Sequence, residues 1–356
     1  MTRPDPATEI RITALQALRG ANFWSARPVT RMDLVVGAYD EISSADVDGV
    51  TAALARAMPG LYDHHCSIGE RGGFLTRLRR GTYAPHIVEH VALELQNLVG
   101  FDVSYGKTRG GDTPGEYTLV FEHRHAGVGL RAAALALEIV QRAFAGTLDS
   151  VDFAVNELRS LGNGPDVPPL YHHVLAGITG SDGRQEAHQE LVKRGFPEDS
   201  IIVDVSPAFL LQAGLPYSRS EIGIILDAEP TDVPERYRDR ERAAKLMSVV
   251  ADGVRRGGLV VCPAREWEIQ DYARDADCRV AVFSTDDSIT DDDRKRAIAS
   301  ASVKNGHIRL EGGEESSDGG PLQEGVALTA QVAAALTAFT IHSLKPELLV
   351  ANVRSS

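Results

Sequence analysis

Residues 161–169, Leu-Gly-Asn-Gly-Pro-Asp-Val-Pro-Pro, hold two glycines and three prolines. No regular helix or strand runs through such a composition, because proline removes backbone donors and glycine carries the largest ordering entropy. The chain is therefore expected to fold as two bodies. Before the break, strand patterns at 10–18, 30–36 and 115–123 mix with helical patterns at 44–58, 72–80, 86–98 and 128–143. That mixture predicts an α+β domain over 1–161. After the linker (162–170), short β-branched runs at 174–178, 200–205, 222–226, 259–262 and 279–283 alternate with helices, one of them at 240–255. This pattern predicts an α/β domain with a mostly parallel sheet over 171–345, with a tail at 346–356. A small strand is expected at 304–310, a mobile loop at 311–320 and a last helix at 323–344.

The 356 residues are 43% hydrophobic and carry a net charge of −13. That much apolar content supports two cores, and the negative charge argues against nucleic acid or an anionic membrane as partner. Three scattered cysteines, Cys66, Cys262 and Cys278, argue for a reducing compartment rather than a disulfide framework. The start, Met-Thr-Arg-Pro-Asp-Pro, has no apolar leader core, and no apolar run reaches membrane-span length. A soluble cytoplasmic protein is expected.

The densest chemistry is His86-Ile87-Val88-Glu89-His90. On a helix, residues three and four apart share a face, so two imidazoles and a carboxylate converge. Such a pair of imidazoles can bind one zinc ion, and the glutamate can take a proton from metal-bound water. The order His-x-x-Glu-His is the inverse of the commoner zinc-peptidase helix. The alternative is a surface helix whose histidines cap or pack.

Further blocks surround this helix. They include Leu18-Arg19-Gly20 with Asn22-Phe23-Trp24-Ser25, then His65-Cys66-Ser67 with Arg71-Gly72-Gly73-Phe74-Leu75 and Gly81-Thr82-Tyr83. The helix itself continues through Val91-Ala92-Leu93-Glu94-Leu95-Gln96, and Gly106-Lys107-Thr108-Arg109, Thr113-Pro114-Gly115 and Val120-Phe121-Glu122 follow. In this order, over about 150 residues, they resemble the N-terminal domain of the cyanophycin synthetase family, which builds multi-arginyl-poly-aspartate. More weakly, 177–185 and 204–232 resemble that family's Mur-ligase-like domain. Where the family has a phosphate loop ending in Gly-Lys-Thr, this chain has Gly180, Gly183, Arg184 and Gln185, and Asp232 stands where the family has a metal-binding histidine. A phosphate loop needs its lysine and its hydroxyl, so no nucleotide site and no ATP are expected. The family's ATP-grasp domain is taken to be absent, and the Mur-like domain to be truncated and degenerate.

The resemblance implies polymer binding by the N-terminal domain, with a metallopeptidase-like site in some members. Carried over, His86 and His90 are metal ligands and Glu89 the general base. Cys66 is the first choice for the third ligand, because thiolate binds zinc well. Glu122 is the alternative, with Glu138 and Glu94 behind it; Glu94 also shares the face of His90 and can orient an imidazole. His64 and His65 adjoin Cys66 and are expected to line the pocket. His65, Arg71, Lys107 and Arg109 are expected to bind substrate, with Glu70, Asp112 and Glu116 as partners for arginines. Trp24 and Phe74 are expected in the core. The expectation that follows is a zinc-dependent cyanophycin hydrolase, a metallopeptidase-like cyanophycinase holding one Zn2+ per chain. It would form a cytoplasmic homodimer that releases β-aspartyl-arginine dipeptides or short oligomers, and it would not be an ATP-dependent ligase. The competing expectation is a non-catalytic cyanophycin-binding or regulatory protein.

Overall fold

The computed structural model describes residues 3–167, 170–197, 200–313 and 315–344. The expected tail at 346–356, and Pro168 and Pro169 of the expected linker, lie outside them. The chain divides into one unit of Met1–Arg19 with Arg27–Pro168 and a second of Gly20–Ala26 with Pro169–Ser356.

In the first unit, β1 (Arg11–Leu18), β2 (Val29–Val35), β3 (Gly106–Gly110) and β4 (Glu116–Glu122) form an antiparallel sheet in the order β1-β2-β4-β3. Helices α1 (Pro6–Glu9), α2 (Val50–Ala57), α3 (Gly73–Arg80), α4 (Ala84–Leu98), α5 (Ala126–Ala145) and α6 (Asp152–Gly162) accompany it. The α4 helix carries Pro85 in its first turn, where the missing N–H costs nothing. It is buried from Ala84 almost throughout, with Ile87, Val88, Val91, Ala92 and Leu95 fully enclosed. Each such aliphatic side chain contributes roughly 1.5–3 kcal/mol on burial. Along α5, His125 caps the N-terminus by accepting from the Val128 amide at 3.2 Å, and Gly146 at φ 73° ends the helix.

One local expectation in this unit is corrected. Residue Ser44 opens no helix; α2 starts only after Gly49 (φ 88°). The Ser44 hydroxyl instead donates to the Leu78 carbonyl at 2.8 Å and accepts from the Thr82 amide at 3.0 Å, which ties down the connection between α3 and α4. Two short 3-10 turns, Pro59–Asp63 and Cys66–Ile68, lie between α2 and α3.

In the second unit, eight strands run in the order β12-β11-β10-β9-β8-β7-β5-β6. Six of them, β5 (Tyr171–Thr179), β6 (Ile202–Val205), β7 (Tyr217–Ile225), β8 (Val254–Pro263), β9 (Arg279–Phe283) and β10 (Ala299–Lys304), are parallel. At one end, β11 (His307–Gly312) and the edge strand β12 (Glu315–Pro321) add antiparallel. The helices are α7 (Arg184–Lys193), α8 (Pro207–Ala213), α9 (Arg240–Met247), α10 (Val249–Asp252), α11 (Trp267–Asp275), α12 (Asp291–Arg296) and α13 (Leu328–Leu344). Alternate residues of β8 feed opposite cores: Leu259 and Val261 pack with α7 and α13, while Val260 and Cys262 pack with α9 and α11. Both faces are thus covered, as continuous apolar strands require.

The expected helix at 240–255 is broken at Ser248, whose hydroxyl bonds back to the Ala244 carbonyl at 2.7 Å, and the chain enters β8 at Val254. The expected strand at 304–310 straddles the turn between β10 and β11. The Gly/Ser/Glu-rich stretch expected as a mobile loop forms β12, where backbone pairing with β11 overrides its composition.

Candidate functional site

Helix α4 presents His86, Glu89 and His90 to a cavity of about 1070 Å³ within the first unit. The opposite wall is the 60–67 segment, and the 102–108 stretch leading through β3 closes another side. Cys66 reaches the cavity from a left-handed backbone position, φ 52°. That conformation costs a non-glycine residue about 1–2 kcal/mol, and such cost is retained mainly at sites that use the side chain. Its Sγ stands 3.4 Å from His86 Nε2. One donor atom each from Cys66, His86 and His90 lie within 4.8 Å of one another, a group that can hold a metal ion.

The Nδ1 atoms of both imidazoles are engaged. His86 Nδ1 lies 2.9 Å from Thr82 Oγ1, so the Ser44–Thr82 clamp reaches the site through one side chain. His90 Nδ1 lies 2.9 Å from His64 Nδ1, and His64 Nε2 lies 3.1 Å from Glu94 Oε2. The Phe74 ring stacks on His90 at 4.0 Å between centroids and meets His86 edge-on at 5.9 Å. Phe74 is fully buried, as expected, and this core residue also fixes the planes of both imidazoles.

Glu89 turns toward β3 and accepts a hydrogen bond from Thr108 Oγ1 at 2.5 Å. Gly106 makes room for it: a Cβ there would stand 2.7 Å from Glu89 Oε1. Burial pushes the Glu89 carboxyl up to about 7, against the opposing pull of the Thr108 bond. Burial also pushes His86 down to about 4 and His90 down to about 2, so both rings are neutral lone-pair donors at neutral pH.

The other sequence candidates separate. His65 is exposed and lines the cavity, as does Lys107. Arg71 is paired with Asp63 at 2.6 Å and lies over the Tyr62 ring, outside the cavity wall. Arg109 is exposed on β3 and does not line the cavity either. Glu122, the alternative third ligand, is held by Arg27 at 3.1 Å and Arg124 at 3.0 Å and is not in the metal-ligand group. Glu138 pairs with Arg142. Sequence reasoning placed His64 in the pocket but did not link it to His90, and it missed Thr82 and Thr108. Only the spacing of Glu94, four residues after His90, signalled part of this network.

In the second unit, Gly180, Gly183 and Arg184 form the turn from β5 into α7. The Arg184 guanidinium donates back to the carbonyls of Gly180 and Ser181, and the Asp227 carboxylate accepts from the Ser181 amide at 2.7 Å. One Arg184 terminal nitrogen and the Ser181 amide are thus engaged by the chain itself, while the buried Arg184 Nε has no partner among the described residues.

Residues 31–145 match the family model of the cyanophycin synthase-like N-terminal domain, so the first unit contains such a domain. The chain is 42% identical over 154 residues to the cyanophycin synthetase of Synechocystis sp., covering 42% of this chain and 17% of that protein. It is 33% identical over 260 residues to the cyanophycin synthetase of Trichormus variabilis, covering 70% of this chain and 27% of that protein. The chain therefore spans about a quarter or less of the length of these relatives. Among solved structures, a UDP-N-acetylmuramoylalanyl-D-glutamyl-2,6-diaminopimelate--D-alanyl-D-alanyl ligase from Acinetobacter baumannii overlaps 59% of this chain and 51% of its own, at 12% identity. Its TM-score of 0.32 is too low to carry an argument.

These relatives correct the expected activity. Both of these relatives are named synthetases, which form bonds rather than cleave them. The assignment as a zinc hydrolase, metallopeptidase or cyanophycinase is withdrawn, and so is the exclusion of ATP-dependent ligation. The physical reason is that a cluster of donors and a carboxyl of raised pKa does not fix the direction of a reaction. No helix among the described residues is long and apolar enough to cross a membrane.

Proposed function

We propose that this protein works in cyanophycin metabolism on the synthetase side, and that its first unit holds the polymer in the α4 cavity beside a divalent transition-metal ion. The observation that carries this reading is the Cys66–His86–His90 donor group in the wall of a cavity large enough for a peptide segment, in a domain that matches the synthetase N-terminal family. The donor set fits a metal: one sulfur and two neutral imidazoles converge, and the Nδ1 atom of each imidazole is already hydrogen-bonded. A bound ion would supply a Lewis acid to a peptide carbonyl or carboxylate oxygen.

The chain's own residues do the rest. Glu89, with a pKa near 7, accepts or returns a proton at its Oε atoms close to neutral pH, with Thr108 fixing its orientation. Lys107 faces polymer carboxylates and Asp102 faces arginine side chains, both from the cavity wall. His65 adds a further donor at the rim.

Retention of the purified protein on insoluble cyanophycin tests this reading. Saturable binding that weakens with Lys107→Glu supports it, and no retention of the wild type overturns it. Incubation with polymer, aspartate, arginine, ATP and magnesium then separates two roles: chain growth assigns ligation to this protein, and binding without growth assigns a polymer-holding role. Light scattering checks the expected homodimer.

A further inference from the structure

With both imidazoles neutral, donor and acceptor chemistry give the Glu94–His64–His90 chain one direction. Glu94, as a carboxylate, has only acceptors, so the 3.1 Å contact requires His64 Nε2 to carry the hydrogen. A neutral His64 then has a bare Nδ1. The 2.9 Å contact between the two Nδ1 atoms closes only if His90 Nδ1 donates. His90 is left with its Nε2 lone pair free.

We infer that Glu94 and His64 are positioning residues whose hydrogen-bond chain locks His90 into the tautomer that presents Nε2 as a metal donor. This inference rests on the metal reading of the site but is testable without it. Its parts are built in. A Cβ at Gly60 would stand 1.9 Å from Glu94 Oε1, so glycine there keeps the carboxylate in place. The stacked Phe74 ring holds the His90 plane, and His64 and Glu94 are both largely shielded from water, with side-chain exposures of 11% and 6%. Shielding matters because water would otherwise serve either imidazole nitrogen and erase the preference. Partners of this kind typically raise metal affinity about 10–100-fold when they fix a ligand.

Two readouts decide the matter. In the metal-free protein, two-bond 1H–15N correlation of the imidazoles reports which His90 nitrogen carries the hydrogen. The wild type is expected to show it on Nδ1 alone, and His64→Ala to shift it toward Nε2. In parallel, Co2+ titration followed by absorbance is expected to show affinity falling about 10–100-fold in His64→Ala. Recovery is expected in His64→Gln, whose carbonyl can accept from His90 Nδ1. Glu94→Leu, of similar size but without an acceptor, repeats the test should His64→Ala fail to fold. An unchanged tautomer with unchanged Co2+ affinity overturns the inference. A wild type that binds no Co2+ yet shows the Nδ1–H tautomer overturns the metal reading and leaves the chain standing.

Discussion

Gly60 and Glu94 occupy one space: a side chain on the first would overlap the carboxylate of the second, with a Cβ only 1.9 Å from Oε1. The glycine has no positive φ, so alanine meets no backbone penalty there and the substitution is purely steric. Gly60→Ala is expected to cost about 1–3 kcal/mol of stability, the usual price of overpacking. It should also weaken Co2+ binding by displacing the group that holds His64. Thermal unfolding and a Co2+ titration check the two effects separately.

Cys66 combines a sulfur proposed as a metal donor with a left-handed backbone that favours glycine. Cys66→Gly removes a cost of about 1–2 kcal/mol and adds back roughly 0.5–1 kcal/mol of chain entropy. Unfolding experiments should therefore show stability unchanged or slightly raised, while the thiolate-to-Co2+ charge-transfer absorption disappears. A strongly destabilised variant would instead make the sulfur a packing element.

Glu122 is buried but answered by Arg27 and Arg124, both partly in water. Glu122→Gln is expected to leave metal affinity unchanged and to lower stability by about 1–2 kcal/mol, since the two guanidinium groups can be re-solvated. Loss of metal binding in this variant would restore Glu122 as a ligand.

His123 is buried, with Nδ1 3.0 Å from Thr30 Oγ1, and burial pushes it down to about 4. Its folded pKa lies below the unfolded value near 6.5, so between those values the unfolded chain binds the extra proton. Stability is therefore lost as pH falls from about 6.5 to 4, by up to roughly 3 kcal/mol from this residue. His86 and His90 act in the same direction, so the comparison must be between wild type and His123→Asn. Urea unfolding at pH 7 and pH 4.5 should show a smaller loss in the variant.

Several parts of the site were legible in the sequence. The spacing of His86, Glu89 and His90 required them to share a helix face, and α4 places all three on the cavity. The resemblance drew attention to Cys66, and the structure sets its sulfur beside His86. The pairing of His64 with Glu94 was not legible, because 30 residues separate them and only the packing of the 60–67 segment against α4 joins them. Composition also misled at 311–320, where β11 supplies a backbone partner to a stretch rich in glycine and serine.

The sequence by itself determined the change of strand grammar along the chain, the helix face that carries two imidazoles and a carboxylate, and the donor types available to a metal. Those are local properties, set by periodicity, proline and glycine placement, and side-chain chemistry. Only the tertiary structure decided which donors meet and which nitrogens stay free. It also decided that Glu122 is committed to arginines and that burial pushes the Glu89 carboxyl up. Each of those depends on burial and on contacts between segments far apart in the chain, and no local pattern encodes them.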